Sequence, residues 1–371
     1  MNNRTFELIT RNKEQEVMNK QQKINSYDPN GIGQKKSGMF GLPFTFEECE
    51  IVIIPVPWEV TVSYGGGTVN GPKAIHEASY QVDLFDPTVK NAWHLGIGLD
   101  KEEKTIRSKS NALRKKAEAL ITAQANGKDV SKNKILLKAN KDIHEGCQWL
   151  NNWVKQRALH FLNQNKIVGL LGGDHSTPLG MMRALAEKFG NYAVLQIDAH
   201  ADLRNAYEGF EFSHASIMYN ALKIKEIEKL VQVGIRDYCE EEFNLIENSG
   251  GRVKTFFDRD IKQDMYRGDS WARICDRIVH ELPQKIYLSF DIDGLDPKLC
   301  PHTGTPVAGG FETEQILFLI EKIVIAGKQI IAFDINEVAP EPKGNDWDAN
   351  VAARLLYRIS NMVAVSQGRG N

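Results

Sequence analysis

A chain of 371 residues, 42% hydrophobic and 25% charged, is long enough to bury one large α/β core or two smaller ones. Its formal net charge of −2 gives no electrostatic case for binding nucleic acid or an anionic membrane surface, and its apolar runs are too short to span a membrane. Five scattered cysteines without a CxxC pair, and a polar start of mixed charge, predict a cytoplasmic protein with reduced thiols.

In chain order, residues 1–45 are rich in Asn, Gln and Lys and predict a polar N-terminal arm, and residues 46–371 predict a single domain. Short apolar runs predict strands at 51–55, 95–98, 167–171, 193–197, 230–234, 253–257, 286–290 and 329–333. Helical patterns lie between many of them, at 109–124, 145–164, 177–189, 270–282, 312–325 and 348–364. The segment around 100–150 is rich in Lys and Asn and predicts a helical insertion.

The alternation of strands and helices predicts the overall architecture. Strands that are apolar throughout are typical of a parallel sheet covered by helices on both faces. A closed barrel of eight strands and eight helices is the alternative topology. The open sheet is favoured because the spacing of strands and helices is irregular in the first half of the chain.

Three clusters of metal-ligating side chains begin where strand-like runs end. In chain order they offer His175 within GGDHS, then Asp198, His200 and Asp202 within DAHAD, then Asp291 and Asp293 within DIDGLDP. Alternate residues of an extended strand project to the same side, and ligands collect at the carboxyl ends of parallel strands. Carboxylate oxygens and imidazole nitrogens suit a hard or borderline divalent cation. Six ligands exceed the usual three of a catalytic zinc, so they predict two metals that share bridging carboxylates.

The blocks GGDHS, IDAHADLR and SFDIDGLDP, followed by TGTP, resemble the ureohydrolases: arginase, agmatinase, guanidinobutyrase, formimidoylglutamase and guanidine hydrolase. The resemblance runs from about Val52 to Arg358 and implies an α/β/α sandwich of three layers around a mostly parallel, eight-stranded sheet. It also implies two divalent ions, with manganese as the family default and nickel in the members that hydrolyse guanidine. One ion would be held by His175, Asp198, Asp202 and Asp291, and the other by Asp198, His200, Asp291 and Asp293.

A paired divalent site lowers the pKa of a bridging water and so makes a hydroxide nucleophile near neutral pH. Four ligand carboxylates, two divalent ions and a hydroxide sum to about −1, which favours a cationic guanidinium over a phosphate ester. The resemblance implies that Glu337 grips the guanidino group, that Asp202 relays a proton to the leaving amine, and that His214 contacts substrate and shuttles protons to solvent. Without the resemblance, Glu337 is a solvated carboxylate at a strand end and His214 a cap or surface residue.

The predicted reaction cleaves a C–N bond of a small guanidino compound and releases urea plus an amine or ammonia. The stretch DLRNAYEGFEFSHA is similar to agmatinase-type members, and the run 55–64 resembles members that hydrolyse free guanidine. Formimidoylglutamate and arginine are the alternative substrates. Arg204 either pairs with a substrate carboxylate or forms a salt bridge with Glu208 or another neighbour.

Two alternatives belong to other classes: a deacetylase-like hydrolase with a single zinc, and a non-catalytic metal-binding paralogue. The complete set of six ligands counts against both. The resemblance further implies a homo-oligomer, either a trimer or a hexamer.

Overall fold

The computed structural model describes residues 18–34, 37–341, 344 and 346–370. Its centre is an eight-stranded sheet in the order β2-β1-β3-β8-β7-β4-β5-β6, in which every neighbouring pair is parallel. The strands are Ile51–Val56 (β1), Ile97–Leu99 (β2), Ile167–Gly172 (β3), Tyr192–Ile197 (β4), Ile227–Ile235 (β5), Val253–Phe257 (β6), Lys285–Asp291 (β7) and Gln329–Asn336 (β8). Because β2 and β6 form the two edges, the sheet is open and the barrel topology is excluded.

The sheet is buried on both faces. Successive residues of β1 show this: Ile51 and Ile53 belong to one hydrophobic cluster, whereas Val52 and Ile54 belong to the other. This division follows from the two-residue repeat of a strand, which sends alternate side chains to opposite faces. Each cluster is completed by helices, so the predicted sandwich of three layers is confirmed.

The helices are Lys20–Ser26 (α1), Gly71–Ser79 (α2), Lys104–Ala125 (α3), Lys134–Asn163 (α4), Leu179–Phe189 (α5), Ile217–Ala221 (α6), Glu240–Glu247 (α7), Asp258–Tyr266 (α8), Trp271–Glu281 (α9), Thr313–Ile325 (α10) and Trp347–Ser366 (α11). On one face α4 packs against α3 and α5, and on the other α11 packs against α2 and α10. Within the described part of the chain, none of these helices combines the length and the hydropathy needed to cross a membrane.

The two long helices of the segment 100–150 begin earlier than their hydrophobic patterns predict. The α3 helix begins after Glu103, whose carboxylate accepts a hydrogen bond from the Thr105 amide, and α4 begins after Asn133, whose side chain caps the Ile135 and Leu136 amides. The first turn of α4 carries Ile135, Leu136 and Leu137, but Ile135 and Leu137 are exposed, so the apolar residues there do not mark a buried face. Side-chain caps fix these ends instead.

The described part of the predicted arm lies against the sheet layers. Met39, Phe40 and Leu42 are buried in one of the hydrophobic clusters, and the Tyr27 ring lies 5.1 Å from the ring of Trp93. Residues 1–17 of the arm lie outside the described residues. The boundary between arm and domain at residue 45 stays a prediction.

Candidate metal centre

The candidate site lies at the carboxyl ends of four neighbouring strands, β3, β8, β7 and β4. His175 follows β3 by three residues, Glu337 and Asp198 directly follow β8 and β4, and Asp291 is the last residue of β7. In an open parallel sheet this edge is the place where loops converge and ligands bind. Sheet order therefore brings together residues that the sequence separates by as many as 162 positions, as in the bond between His175 and Glu337.

The first group of ligand atoms surrounds the imidazole of His175. Its Nδ1 lies 2.9 Å from Asp198 Oδ2, 3.2 Å from Asp202 Oδ2 and 3.2 Å from Asp291 Oδ2. His175 is 1% exposed, and among the described residues Nδ1 has no hydrogen-bond partner of acceptable geometry. A buried nitrogen that faces three carboxylate oxygens without a hydrogen bond is suited to share a cation with them.

The second group surrounds His200. Its Nδ1 lies 3.0 Å from Asp293 Oδ2 and 3.6 Å from Asp198 Oδ1. Asp198 therefore turns one oxygen to each histidine, which is the geometry of a bridging carboxylate. Asp291 Oδ2 belongs to the first group, while its Oδ1 accepts the Asp293 amide at 2.9 Å, so its predicted bridging role stays a prediction.

The cluster carries an excess of buried negative charge. Burial, and then the charge of Asp198, raise the pKa of Asp202 to about 7, and burial followed by Asp293 raises the pKa of Asp291 well above its ordinary value. Burial opposes protonation of His200, yet Asp293 and Asp198 raise its pKa to about 12. Each of these shifts favours added positive charge. Four carboxylates and two imidazoles that cluster in this way supply the oxygen and nitrogen donors that a pair of divalent cations requires.

Two glycines let the β3 loop approach its neighbours. A Cβ atom on Gly172 would lie 1.8 Å from Asn336 Oδ1, and one on Gly173 would lie 1.9 Å from the carbonyl oxygen of Trp58. Since the second neighbour is backbone, it has little freedom to move away. Gly172 and Gly173 therefore let the His175 loop pack closely against the end of β8 and against the segment that follows β1.

We expect Gly173→Ala to lower the free energy of unfolding of the metal-free protein by about 1–3 kcal/mol, the usual cost of overpacking. Gly66→Ala is the matched control, because its added Cβ would meet only Glu59 Oε1 at 4.0 Å. Urea denaturation of both variants measures the difference. Equal stability of the two variants would show that the Trp58 carbonyl yields to the methyl group.

Two of the predicted catalytic residues have left-handed backbone conformations, with φ of 55° at Asp202 and 62° at Glu337. Non-glycine residues in this region are uncommon and cluster at functional sites. The conformation of Glu337 is held by three bonds: its amide donates to Gly173 O, its carbonyl accepts from Thr303 Oγ1, and its Oε1 accepts the His175 amide, each at 2.8 Å. Burial, and then the charge of Asp174, raise the pKa of Glu337 well above its ordinary value.

His214 and Arg204 line a cavity of about 130 Å³ beside the ligands, together with Ser63, His200, Asp202, Tyr207, Ala215, Asp237, Tyr238, Glu242 and Thr305. Burial, and then the positive charge on His200, lower the pKa of His214 to about 4, so its imidazole is neutral at pH 7. The Arg204 guanidinium lies 4.8 Å from the Tyr207 ring centroid, and its Nε is 3.9 Å from Glu242 Oε2. Its ion-pair partner is thus Glu242, a neighbour that the sequence analysis did not name.

Sequence reasoning missed several residues of this region. Asp237 and Glu242 follow β5, a strand end at which the sequence motifs predict no ligand. Ser289 and Asp334 lie inside β7 and β8, where Ser289 Oγ is 3.0 Å from His175 Nε2 and donates to Asp334 Oδ1 at 3.2 Å. In the sequence, each of these two residues is a polar residue within an apolar strand, two positions before the end of that strand.

The fold and the converging ligands define an open parallel α/β protein with a candidate centre for paired cations. The sequence model described as Arginase family matches residues 49–361, and the chain therefore belongs to the arginase family. The predicted class of enzyme, a ureohydrolase that acts on C–N bonds of linear amidines, is confirmed by this membership and by the relatives.

The chain is 29% identical over 323 residues to the N(1)-aminopropylagmatine ureohydrolase of Thermus thermophilus, covering 87% of this chain and 93% of that protein. It is 26% identical over 315 residues to an agmatinase of Bacillus anthracis, covering 85% of this chain and 92% of the relative. The crystal structure of the agmatine ureohydrolase of Thermoplasma volcanium has the same fold, with a TM-score of 0.65, 22% identity, and coverage of 88% and 93% of the two chains.

Proposed function

We propose that this enzyme uses two divalent metal ions to cleave a C–N bond of a small cationic guanidino compound, either an agmatine-type substrate or free guanidine. The products would be urea and an amine or ammonia. The observation that carries the proposal is the convergence of four aspartates and two histidines into two groups that share Asp198. This buried negative charge is suited first to metal cations and then to a cationic substrate.

The residues that would hold the ions are His175, Asp198, Asp202, Asp291, His200 and Asp293, with Mn²⁺ as the first expectation and Ni²⁺ as the second. When bound, such a pair supplies an activated water as the nucleophile and positive charge beside the reacting carbon. Oxygen-rich ligand sets of this kind do not by themselves choose between the two metals.

Glu337 would orient the guanidinium. Glu337 is 7% exposed, and its carboxylate belongs to the same cluster, since Oε1 accepts the His175 amide. No described residue donates a hydrogen bond to Oε2, so this oxygen is available to accept guanidinium N–H groups. A cation at this point also favours the charged form of a carboxyl whose pKa burial has raised. Orientation of the reacting groups accounts for a large part of the rate enhancement of an enzyme.

Asp202 and His214 would move protons. Asp202 borders both His175 and the cavity, and this position supports its proposed role as the carboxylate that carries a proton to the leaving nitrogen. His214 lines the same cavity, and because its lowered pKa disfavours the charged form at pH 7, its imidazole would hold a proton only transiently before releasing it to solvent. Asp202 and His214, which line one cavity, would therefore carry the proton between the reacting atoms and solvent.

Two observations support the choice of substrate. The relatives named above are ureohydrolases of agmatine-type compounds. Arg204 already faces the buried carboxylate of Glu242, so a carboxylate of formimidoylglutamate or arginine would compete with that ion pair. The homo-oligomeric state, a trimer or a hexamer, stays a prediction.

We expect urea release from agmatine or guanidine by purified protein loaded with Mn²⁺ or Ni²⁺, and none from the metal-stripped protein. The panel also holds arginine, 4-guanidinobutyrate and formimidoylglutamate, the last followed through formamide. Product from arginine or formimidoylglutamate alone would favour the alternative activities. Two bound ions without product from any of the five would contradict the proposal, and failure to bind metal would favour a non-catalytic paralogue.

A further inference from the structure

A row of polar side chains crosses the sheet beneath the candidate metal centre. Gln196 of β4 is in register with Gln232 of β5, which is in register with Thr255 of the edge strand β6. Both glutamines are 0% exposed. Gln196 precedes Asp198 by two residues, so the row lies directly below that aspartate on the same face of the sheet. Amide groups are costly inside an apolar layer unless every donor and acceptor is satisfied.

The hydrogen bonds of this row all run in one direction, towards Asp198. The Thr255 hydroxyl donates to Gln232 Oε1 at 2.8 Å, and Gln232 Nε2 donates to Gln196 Oε1 at 2.7 Å. Gln196 Nε2 donates in turn to Asp198 Oδ2 at 2.8 Å. The row thus ends on the carboxylate that faces both candidate metal ligands His175 and His200.

The second hydrogen of each amide holds the loop that carries the other ligands. Gln196 Nε2 also donates to the carbonyl of His200 at 3.2 Å, and Gln232 Nε2 also donates to the carbonyl of Ala201 at 2.7 Å. Two glutamines therefore fix three points of the segment 198–201. The side chains of His200 and Asp202 leave the backbone beside these fixed carbonyls.

Chemistry allows only one orientation of the row. A carboxylate and two carbonyls accept hydrogen bonds but cannot donate them, so both glutamines must turn their NH₂ groups towards the site. Gln232 Oε1 is then left facing the sheet edge and requires a donor. The Thr255 hydroxyl supplies it. A residue at the edge of the sheet thereby completes an arrangement that ends on a metal ligand.

We propose that Gln232, oriented by Thr255, is a positioning residue of the metal centre: through Gln196 it holds the bridging carboxylate of Asp198, and through Ala201 it holds the loop of His200 and Asp202. The proposal rests on the proposed function in one respect, namely that the ligands bind divalent cations. It extends that function to residues that do not themselves contact the ions or the substrate.

The test compares Mn²⁺ binding to metal-stripped wild-type protein and variants by isothermal titration calorimetry. Gln232→Met keeps the length of the side chain but removes both donors, and is expected to weaken Mn²⁺ binding by about 10–100-fold, the usual effect of losing an outer hydrogen-bond partner. Thr255→Val, which removes the hydroxyl, should weaken binding in the same direction but less. Thr255→Ser keeps the hydroxyl and should bind Mn²⁺ with the wild-type affinity. In the variants that bind Mn²⁺ more weakly, KM for the substrate should change less than the Kd for Mn²⁺.

Ser360→Ala is the control for removal of a buried hydroxyl, because Ser360 is 0% exposed and lies in α11, away from the row. Thermal unfolding of the metal-free proteins separates positioning from general stability. If Gln232→Met does not fold, the Thr255 pair decides, because Thr255 borders an open groove of about 600 Å³ that tolerates a changed side chain.

The outcomes distinguish the two proposals. Wild-type protein that binds no Mn²⁺ or Ni²⁺ would overturn the proposed function, and the positioning role with it. If wild-type protein binds two Mn²⁺ ions per chain and the folded variants bind Mn²⁺ with the same Kd, the positioning role alone would be overturned. A lower unfolding temperature with unchanged Mn²⁺ affinity would show that the row only stabilises the sheet.

Discussion

Replacing Asp291 with asparagine is expected to remove at least one metal ion per chain and to lower turnover by about 10³-fold or more. Asparagine has the same shape but no charge, so it is a much weaker ligand for a hard divalent cation. The Asp291 side chain lies 3.2 Å from His175 Nδ1 through one oxygen and accepts the Asp293 amide through the other. Without the ions, water keeps its ordinary pKa and is a poor nucleophile at pH 7.

Asp296→Asn is the matched control for this change. Asp296 lies in the same sequence block, but its side chain is 37% exposed and faces Lys298 at 3.5 Å. The measurements are metal content of the purified proteins by mass spectrometry, and urea release under saturating substrate. Full turnover by Asp291→Asn with two retained ions would refute the assignment of this ligand, whereas equal loss in Asp296→Asn would indicate a general effect on the loop.

The candidate ligands were predictable because each follows an apolar run that ends at a glycine, a proline or a carboxylate, which is a local signal. His175, Asp198 and Asp291 all have this context. Which strands lie next to each other in the sheet was not predictable in the same way, because the order β3-β8-β7-β4 joins distant parts of the chain. Only that order explains why Glu337 contacts the His175 loop.

Polar residues inside strands were harder to interpret. Gln196 and Gln232 interrupt runs of Val, Leu and Ile, and a two-residue pattern alone assigns them to either face of the sheet. Their function depends on which side chain lies opposite, and this is set by the register between β4 and β5. The left-handed backbone of Asp202 and Glu337 has the same origin, since tertiary contacts rather than local preference impose it.

Replacing Glu337 with glutamine is expected to lower kcat/KM by about 10²–10⁴-fold while leaving both metal ions bound. Two hydrogen bonds to a charged carboxylate contribute roughly 1.5–3 kcal/mol each, and each 1.36 kcal/mol is tenfold in rate. Glutamine fills the same space but presents an NH₂ group, which repels either the guanidinium or the His175 amide that Oε1 now accepts. The loss should therefore affect orientation of the substrate rather than metal binding.

Glu314→Gln is the control, since the Glu314 side chain is 77% exposed and lies on α10 beside Arg358. Steady-state kinetics with the best guanidino substrate, together with metal analysis, measure the effect. A guanidinium clamp requires that the loss persist at full metal occupancy and be larger for a cationic guanidino compound than for a neutral amide. If the metals leave with the substitution, the bond from the His175 amide makes Glu337 a support of the metal centre instead. Unchanged kcat and KM with both ions bound would show that Glu337 does not orient the substrate. The next candidate for the guanidinium clamp would then be Asp237, the exposed carboxylate 3.8 Å from His200 Nε2.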